Sequence, residues 1–394
     1  MIYQRRIFND LAQQLNFQEI VVLTGMRRVG KTTLLKMVFD RVKSGNKVFL
    51  DLENPIVQQV FSEIDYDNIW SNLSNYGLVP TEKAFIFLDE IQSMPEIVRV
   101  IKYLYDHYDV KFFVTGSSSF YLKNLFPESL SGRKIIFELF PLDFEEFLIF
   151  KGFTVSFSNN FQEKSKQKNL IFYEKKKNYF EEYLHYGGFP QVVLLSDTNR
   201  KTAMLSDIFT SYFEKEVKSL ADFRNISIFR DLVFLLMQRI GSKLDISKIA
   251  STLGTSRQSI YSYLSFLEKT YFVNLISPYS TNVDREISGT KKVYLCDTGF
   301  VNLFGKIDEG SLFENAVFNN LVRVGKVNYY QRRSGTEIDF ILPDNKIAIE
   351  VKTKAIKQDI NKLSQMSGAL KMKEYFIVSR VFVNEENVIV AVNL

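Results

Sequence analysis

Two groups of residues in this chain have the types and spacing for phosphate chemistry. The first is Gly25-Met26-Arg27-Arg28-Val29-Gly30-Lys31-Thr32, two glycines with four residues between them followed by a lysine and a threonine. Glycines so placed let the backbone wrap an anion, and the amide N–H groups and a following helix N-terminus face it. The lysine reaches the outer phosphates of a nucleoside triphosphate, and the hydroxyl serves magnesium. Gly25, Arg28, Gly30, Lys31, Thr32 and Thr33 are the candidate nucleotide-binding residues, with ATP and Mg2+ as the implied cofactors. The second group is Asp339, Glu350 and Lys352. Glu337 and Asp339 share one face of an apolar strand, and after Pro343-Asp344-Asn345 a partner strand presents Glu350 and Lys352 on one face. Paired as a hairpin, two carboxylates and a carbonyl can bind a hard cation while the lysine stabilises charge at an attacked phosphate. A hairpin with its charges on a wet face would show the same alternation, but here apolar residues flank each acid closely.

The elements that must position the first group are legible around it. Residues 20–24 read as a short buried strand, and 33–42 as a helix with Leu34, Leu35, Val38 and Val42 apolar. Residues 84–88 form an apolar strand ending in Asp89-Glu90. In that layout the first carboxylate holds the magnesium shell and the second polarises the attacking water. A further strand at 111–114 runs into Thr115-Gly116-Ser117-Ser118-Ser119, where a hydroxyl such as that of Ser117 could sense the outermost phosphate. Arg133 stands just before a strand at 135–140.

In the middle of the chain, a short amphipathic helix starts near Asp245 or Ser247, either of which could cap it, and Leu253-Gly254-Thr255-Ser256 makes a turn. A second helix at 257–269, a strand at 271–276 and a polar loop to Lys292 complete a helix-turn-helix with a wing. Ser256, Arg257, Gln258 and Ser259 would stand at the end that meets base edges or phosphates. Such modules also serve as spacers or docking units, and one arginine gives little basis for sequence-specific readout.

The bulk numbers bound these readings. At 394 residues the chain favours two to four domains. Hydrophobic residues at 46% and charged residues at 24% describe a soluble globular protein, with no apolar run of the ~20 residues that cross a bilayer. A single cysteine and no apolar leader imply a reducing, cytoplasmic setting and no membrane partner. The net charge of +5 does not announce a nucleic-acid binder, although residues 151–180 hold seven lysines against two glutamates. Charge runs of this kind are usually solvated linkers or exposed helix faces.

With these motifs in place the chain resembles the AAA+ ATPase superfamily, in particular the prokaryotic P-loop AAA+ ATPases that carry a winged helix and a C-terminal restriction-endonuclease-like domain. The resemblance implies that Arg133 is the finger a neighbouring subunit inserts into the ATP site, and hence a homo-oligomer. It also likens Tyr183-Leu184-His185-Tyr186-Gly187-Gly188-Phe189-Pro190 to the helical lid over the nucleotide, although no second sensor arginine is evident there. Asp339, ten residues, then Glu350-Val351-Lys352 resembles the PD-(D/E)xK nuclease pattern, with Ile338 where a proline is usual. Glu314 falls at the helical glutamate of some members, and Arg332 and Arg333 could neutralise a backbone phosphate. The expected fold is therefore α/β: an AAA+ P-loop core over 1–150, a lysine-rich connector and helical lid over 151–235, a winged helix-turn-helix over 236–290, and a restriction-endonuclease-like α/β domain over 291–394. Catalysis would rest on Glu90, Arg133, Asp339, Glu350 and Lys352. Metal would be held by Thr32 and Asp89 in one site and by Glu314, Asp339 and Glu350 in the other, where Mn2+ could replace Mg2+.

The implied function is ATP-driven processing of DNA, with remodelling or translocation coupled to metal-dependent endonuclease cleavage; branched DNA enters as a substrate class by analogy alone. The rivals are an ATP-driven regulatory switch, whose nuclease-like domain only binds DNA or a protein partner, and an assembly ATPase.

Overall fold

The computed structural model describes residues 3–116, 132–217, 225–304, 307–332 and 335–394. They fall in two units. One comprises the described residues of Met1–Phe140, Lys215–Leu220 and Lys269–Tyr271, and the other those of Pro141–Glu214, Ala221–Glu268 and Phe272–Leu394. The long stretch of the first unit thus ends at Phe140, and the segments expected to form the lid, winged helix and C-terminal domain fall largely in the other unit.

The first unit is built on five strands, β1 (Ile20–Thr24), β2 (Lys47–Asp51), β3 (Ala84–Asp89), β4 (Val110–Gly116) and β5 (Lys134–Glu138), in the order β2-β3-β4-β1-β5. All neighbours are parallel. Every residue of β1 and β4 is buried, which is why these strands read as largely apolar rather than alternating, with Lys111 the one charged residue among them. Parallel strands bring all their C-terminal ends to one edge, where ligands of such sheets bind. That edge carries the glycine loop after β1, Asp89 at the end of β3 and Thr115 near the end of β4.

The second unit begins with Asp143, which caps helix Phe144–Phe150 in a reciprocal box with Glu146. Helix Leu170–Tyr186 ends at Gly187, whose φ of 71° is left-handed and where a Cβ would lie 1.7 Å from Asp297 Oδ1. The lysine-rich stretch is spent on internal partners more than the run alone implies. Lys151 pairs with Glu182 at 2.6 Å, Lys164 with Glu145 at 3.1 Å and Lys177 with Glu174 at 2.6 Å, and Lys168 donates to the Val388 carbonyl.

The helix-turn-helix consists of Ile246–Thr252, capped by Asp245 through the Lys248 N–H at 3.0 Å, and Arg257–Lys269. Its wing is an antiparallel pair, β6 (Val273–Ile276) and β7 (Lys292–Leu295). The connection expected to be a polar loop contains a helix, Val283–Ser288, capped by Asn282. The boundary expected at 290 falls just before β7, so it separates the two strands of the wing.

The C-terminal sheet joins β8 (Asn328–Gln331), β9 (Glu337–Leu342), β10 (Ile347–Lys352), β11 (Glu374–Ser379) and β12 (Val388–Val390) in the order β12-β11-β10-β9-β8. It is mixed: β8, β9 and β10 are antiparallel, while β10, β11 and β12 are parallel. Ile338, Ile341, Ala348, Leu363 and Ile377 form its core. Cys296, the one cysteine of the chain, is buried just beyond β7, and burial pushes its thiol well above the ordinary value. No helix of the described residues is long and apolar enough to cross a membrane.

Candidate functional site

The glycine loop is shaped by its neighbours before any ligand is considered. Gly25 has φ 149°, and a Cβ there would lie 2.1 Å from the Leu139 carbonyl oxygen, so only glycine fits against the chain leaving β5. Gly30, at φ 98°, caps helix Lys31–Arg41, whose Leu34, Leu35 and Val38 anchor it in the core. Arg28 is exposed and left-handed at φ 67°, and Thr33 is exposed in the first helical turn. Arg5, invisible as a site residue in the sequence, braces the loop by donating to the carbonyls of Val29 and Phe140, both at 2.8 Å.

Lys31 is 4% exposed, and its Nζ donates to the carbonyls of Gly25 at 3.0 Å and Met26 at 2.9 Å. Burial draws its ammonium below the ordinary value, against the pull of Glu90 and Glu216. A buried cation whose hydrogen bonds among the described residues go to two carbonyls is a strong seat for an anion.

Asp89 closes β3 and is 4% exposed; burial raises its carboxyl while hydrogen bonds from Thr115 and Thr32 oppose the shift. A hydroxyl and a carboxylate thus meet at one place, which fits a hard cation, and Thr32 and Asp89 are the residues that would hold magnesium. Glu90 follows at φ 55° and its N–H donates to Thr115 Oγ1 at 3.0 Å. Thr115 in turn donates to Asp89 Oδ1, so one hydroxyl joins both acids. Ser117, the hydroxyl expected in this role, lies outside the described residues.

Arg133 sits at the other edge of the sheet. Its carbonyl accepts from Ile20 N–H at 2.8 Å, where β1 begins, and one terminal nitrogen of its guanidinium donates to both carboxylate oxygens of Asp106, at 2.7 and 2.9 Å. It is therefore remote from the phosphate loop of its own chain. A different arginine stands at that loop: Arg27 donates from Nε to Glu216 Oε1 at 2.8 Å.

The expected C-terminal residues come together. β9 and β10 pair through Phe340 and Ile349, which sets Asp339 opposite Glu350 on one face. Asp339 Oδ2 accepts the Val351 N–H at 2.7 Å, and Lys352 donates to Glu350 Oε1 at 2.7 Å. Glu314, on helix Glu309–Leu321, accepts from Tyr294 Oη at 2.5 Å. Lys292 of the wing strand completes the cluster, bonded to Glu337 and 3.8 Å from Glu314. Burial, with Glu350 and Glu314 beside it, pushes the Asp339 carboxyl well above the carboxylate range. Burial would lower Lys292, but Glu314 and Glu337 outweigh it and hold its ammonium above the ordinary value.

The metal expectation at this cluster meets an obstacle. Among the described residues no group of three or more His, Cys, Asp or Glu side chains is arranged to hold an ion. Each expected ligand is committed elsewhere: Glu314 to Tyr294 and Lys292, Asp339 to the Val351 amide, and Glu350 to Lys352. As arranged, these residues do not fit a metal. Lys292 and Tyr294 went unnoticed because they lie on the wing strand, at least 20 residues from every acid they meet.

At the helix-turn-helix, Ser256 caps the second helix through the Ser259 N–H at 3.1 Å, leaving Ser256, Arg257 and Gln258 exposed. The segment likened to a lid makes its contacts inside the second unit: Gly188 donates to Asp297 at 2.7 Å and accepts from Leu142 at 2.7 Å, and Tyr183 Oη donates to the Leu142 carbonyl at 3.2 Å. Arg332 is exposed, and Arg333 lies outside the described residues.

Comparison with known proteins gives matches along most of the chain. Residues 17–148 match the AAA domain, 177–310 a domain of unknown function (DUF8612) and 309–391 another (DUF4143). The uncharacterized protein MJ1544 of Methanocaldococcus jannaschii is 30% identical over 358 residues, which is 88% of this chain and 77% of that protein. An uncharacterized protein of Haemophilus influenzae is 27% identical over 349 residues, covering 84% and 82%. Among solved structures, the Walker-type ATPase PABY2304 of Pyrococcus abyssi aligns with a TM-score of 0.47 at 14% identity, over 77% of this chain and 96% of that one.

Proposed function

Because this chain carries an AAA domain over residues 17–148 and belongs to one family with the uncharacterized protein MJ1544 of Methanocaldococcus jannaschii, we propose that it hydrolyses ATP with magnesium at the glycine loop and uses that turnover to act on DNA. The observation that carries the ATPase reading is the meeting of Lys31, Thr32, Asp89 and Glu90 at the C-terminal edge of one parallel sheet. Loop amides and Lys31 bind the phosphates, and the anion replaces the two carbonyls to which Lys31 now donates. Bound magnesium supplies charge neutralisation at the transferred phosphate. Glu90 orients and polarises the attacking water, and Thr115 ties the Glu90 backbone amide to the Asp89 carboxylate.

DNA as the substrate is supported by the exposed helix end at Ser256, Arg257 and Gln258 and by the C-terminal cluster. The narrower reading is that this cluster cuts the DNA backbone. The convergence of Glu314, Asp339, Glu350 and Lys352 is what suggests it, while the misfit of these acids to a metal and the presence of Lys292 among them favour a domain that holds its partner without cutting. Labelled linear and four-way-junction DNA, with magnesium or manganese and with or without ATP, separates the two. Cutting that disappears in Asp339→Ala supports the nuclease, and DNA-stimulated ATP turnover without cutting sinks it in favour of a motor or switch.

A further inference from the structure

Arg27 is the third residue of the glycine loop, at a position the loop motif leaves open. Its guanidinium is held from outside the loop, by Glu216 Oε1 at 2.8 Å from Nε and by Glu53 Oε1 at 3.7 Å from one terminal nitrogen. Glu216 is 2% exposed, and its second oxygen is buried with no hydrogen-bond partner among the described residues. A buried carboxylate left half-satisfied is costly, so the pair needs a reason beyond packing. Glu216 also lies in a π-helical stretch, Phe213–Val217, a geometry found mostly where function demands it.

The donors settle what such a pair can do. A guanidinium has five N–H groups in a planar fork. With Nε on Glu216, the fork is fixed in plane; one terminal nitrogen stands 3.7 Å from Glu53, too far for a hydrogen bond, and the other is the donor best placed to take an anion. Arg27 lies within electrostatic reach of both Lys31 and Glu90, the residues that face the phosphate and the water.

We propose that Arg27 is a phosphate ligand of this chain's own ATP site, and that Glu216 is the positioning residue that aims it. The proposal rests on the ATPase reading above. A fixed cation at the outer phosphate stabilises charge that grows on its oxygens during transfer. It does so within one chain, independently of any arginine that another copy supplies.

The test uses the full chain, measuring steady-state ATP hydrolysis and the binding of fluorescent ATP and ADP analogues with magnesium. Arg27→Ala is expected to lose roughly 100-fold in kcat, while ADP affinity stays within about threefold because the outer phosphate is absent. Arg27→Lys recovers part of the loss. Glu216→Gln is expected to lose about tenfold in kcat with KM nearly unchanged, and the double variant Arg27→Ala/Glu216→Gln to be no slower than Arg27→Ala alone. Losses that multiply in the double variant, wild-type kcat in Arg27→Ala, or joint loss of ADP and ATP binding would each overturn the proposal. An active wild type with an inactive Lys31→Ala and an unaffected Arg27→Ala defeats this proposal alone. A wild type that neither binds nor hydrolyses ATP defeats the ATPase reading as well.

Discussion

Thr115 shows how much one hydroxyl can organise. It accepts the amide of Glu90 and donates to Asp89, so the residue that would serve magnesium and the residue that would polarise water share a fixed geometry. The left-handed backbone of Glu90 is what turns its side chain away from the strand direction after Asp89. If these roles are divided as drawn, Glu90→Gln retains ATP but hydrolyses it about 100-fold more slowly or worse, the share of a general base. Lys31→Ala instead loses nucleotide binding itself. Equilibrium binding alongside turnover separates the two, and wild-type turnover in Glu90→Gln would move the water-activating role to another residue. Lys31, Asp89 and Glu90 were legible because each is a motif residue, Lys31 opening the helix after the glycine loop and Asp89 and Glu90 at the end of an apolar strand. Glu216 was not, since 189 residues separate it from Arg27 and only the folded chain brings them together.

Elements in the second unit are fastened by a buried acid that the motifs did not flag. Asp297, directly after Cys296, accepts the amides of Gly188 at 2.7 Å and Gly299 at 2.8 Å, which ties the turn at Gly187 to helix Thr298–Phe304. Burial pushes its carboxyl up to about 7, although both amides and Arg323 pull the other way; Cys296, Tyr183 and Asp143 are the other titratable groups around it. The native chain therefore holds this proton more tightly than the unfolded chain, whose carboxyl keeps the ordinary value of 3.8. Its stabilising contribution is complete below that value and is lost as pH rises toward 7, by at most about 1.4 kcal/mol per pH unit. Asp297→Asn should flatten that slope. Urea midpoints of the second unit's transition from about pH 4.5 to about pH 8 measure it, and an unchanged slope in the variant would refute the assignment. The contrast with the C-terminal hairpin is instructive. There the turn is short and the pairing local, so alternation alone placed Asp339 opposite Glu350. Lys292 and Asp297 act through partners on distant segments, which periodicity cannot report.

For the molecule as a whole, the placement of Arg133 decides what kind of assembly is worth testing. It lies where β1 and β5 begin, and the glycine loop lies where β1 ends, so it can serve an ATP site only in another copy. Arg133→Ala and Lys31→Ala chains should then each be inactive alone and regain part of the ATP turnover when mixed, because a mixed pair of copies holds one intact site. Absence of rescue with assembly intact would confine Arg133 to its bond with Asp106. The two-unit division was only partly legible, since the chain returns to the first unit at Lys215 and Lys269 through short segments that carry no compositional break. One feature makes such assembly experiments practical. The single cysteine is buried and its thiol is held protonated, so Cys296 is a poor target for maleimide chemistry. Cysteines introduced on each unit's surface can therefore be coupled to donor and acceptor dyes with little background from the native chain, and the distance between them followed as nucleotide is added.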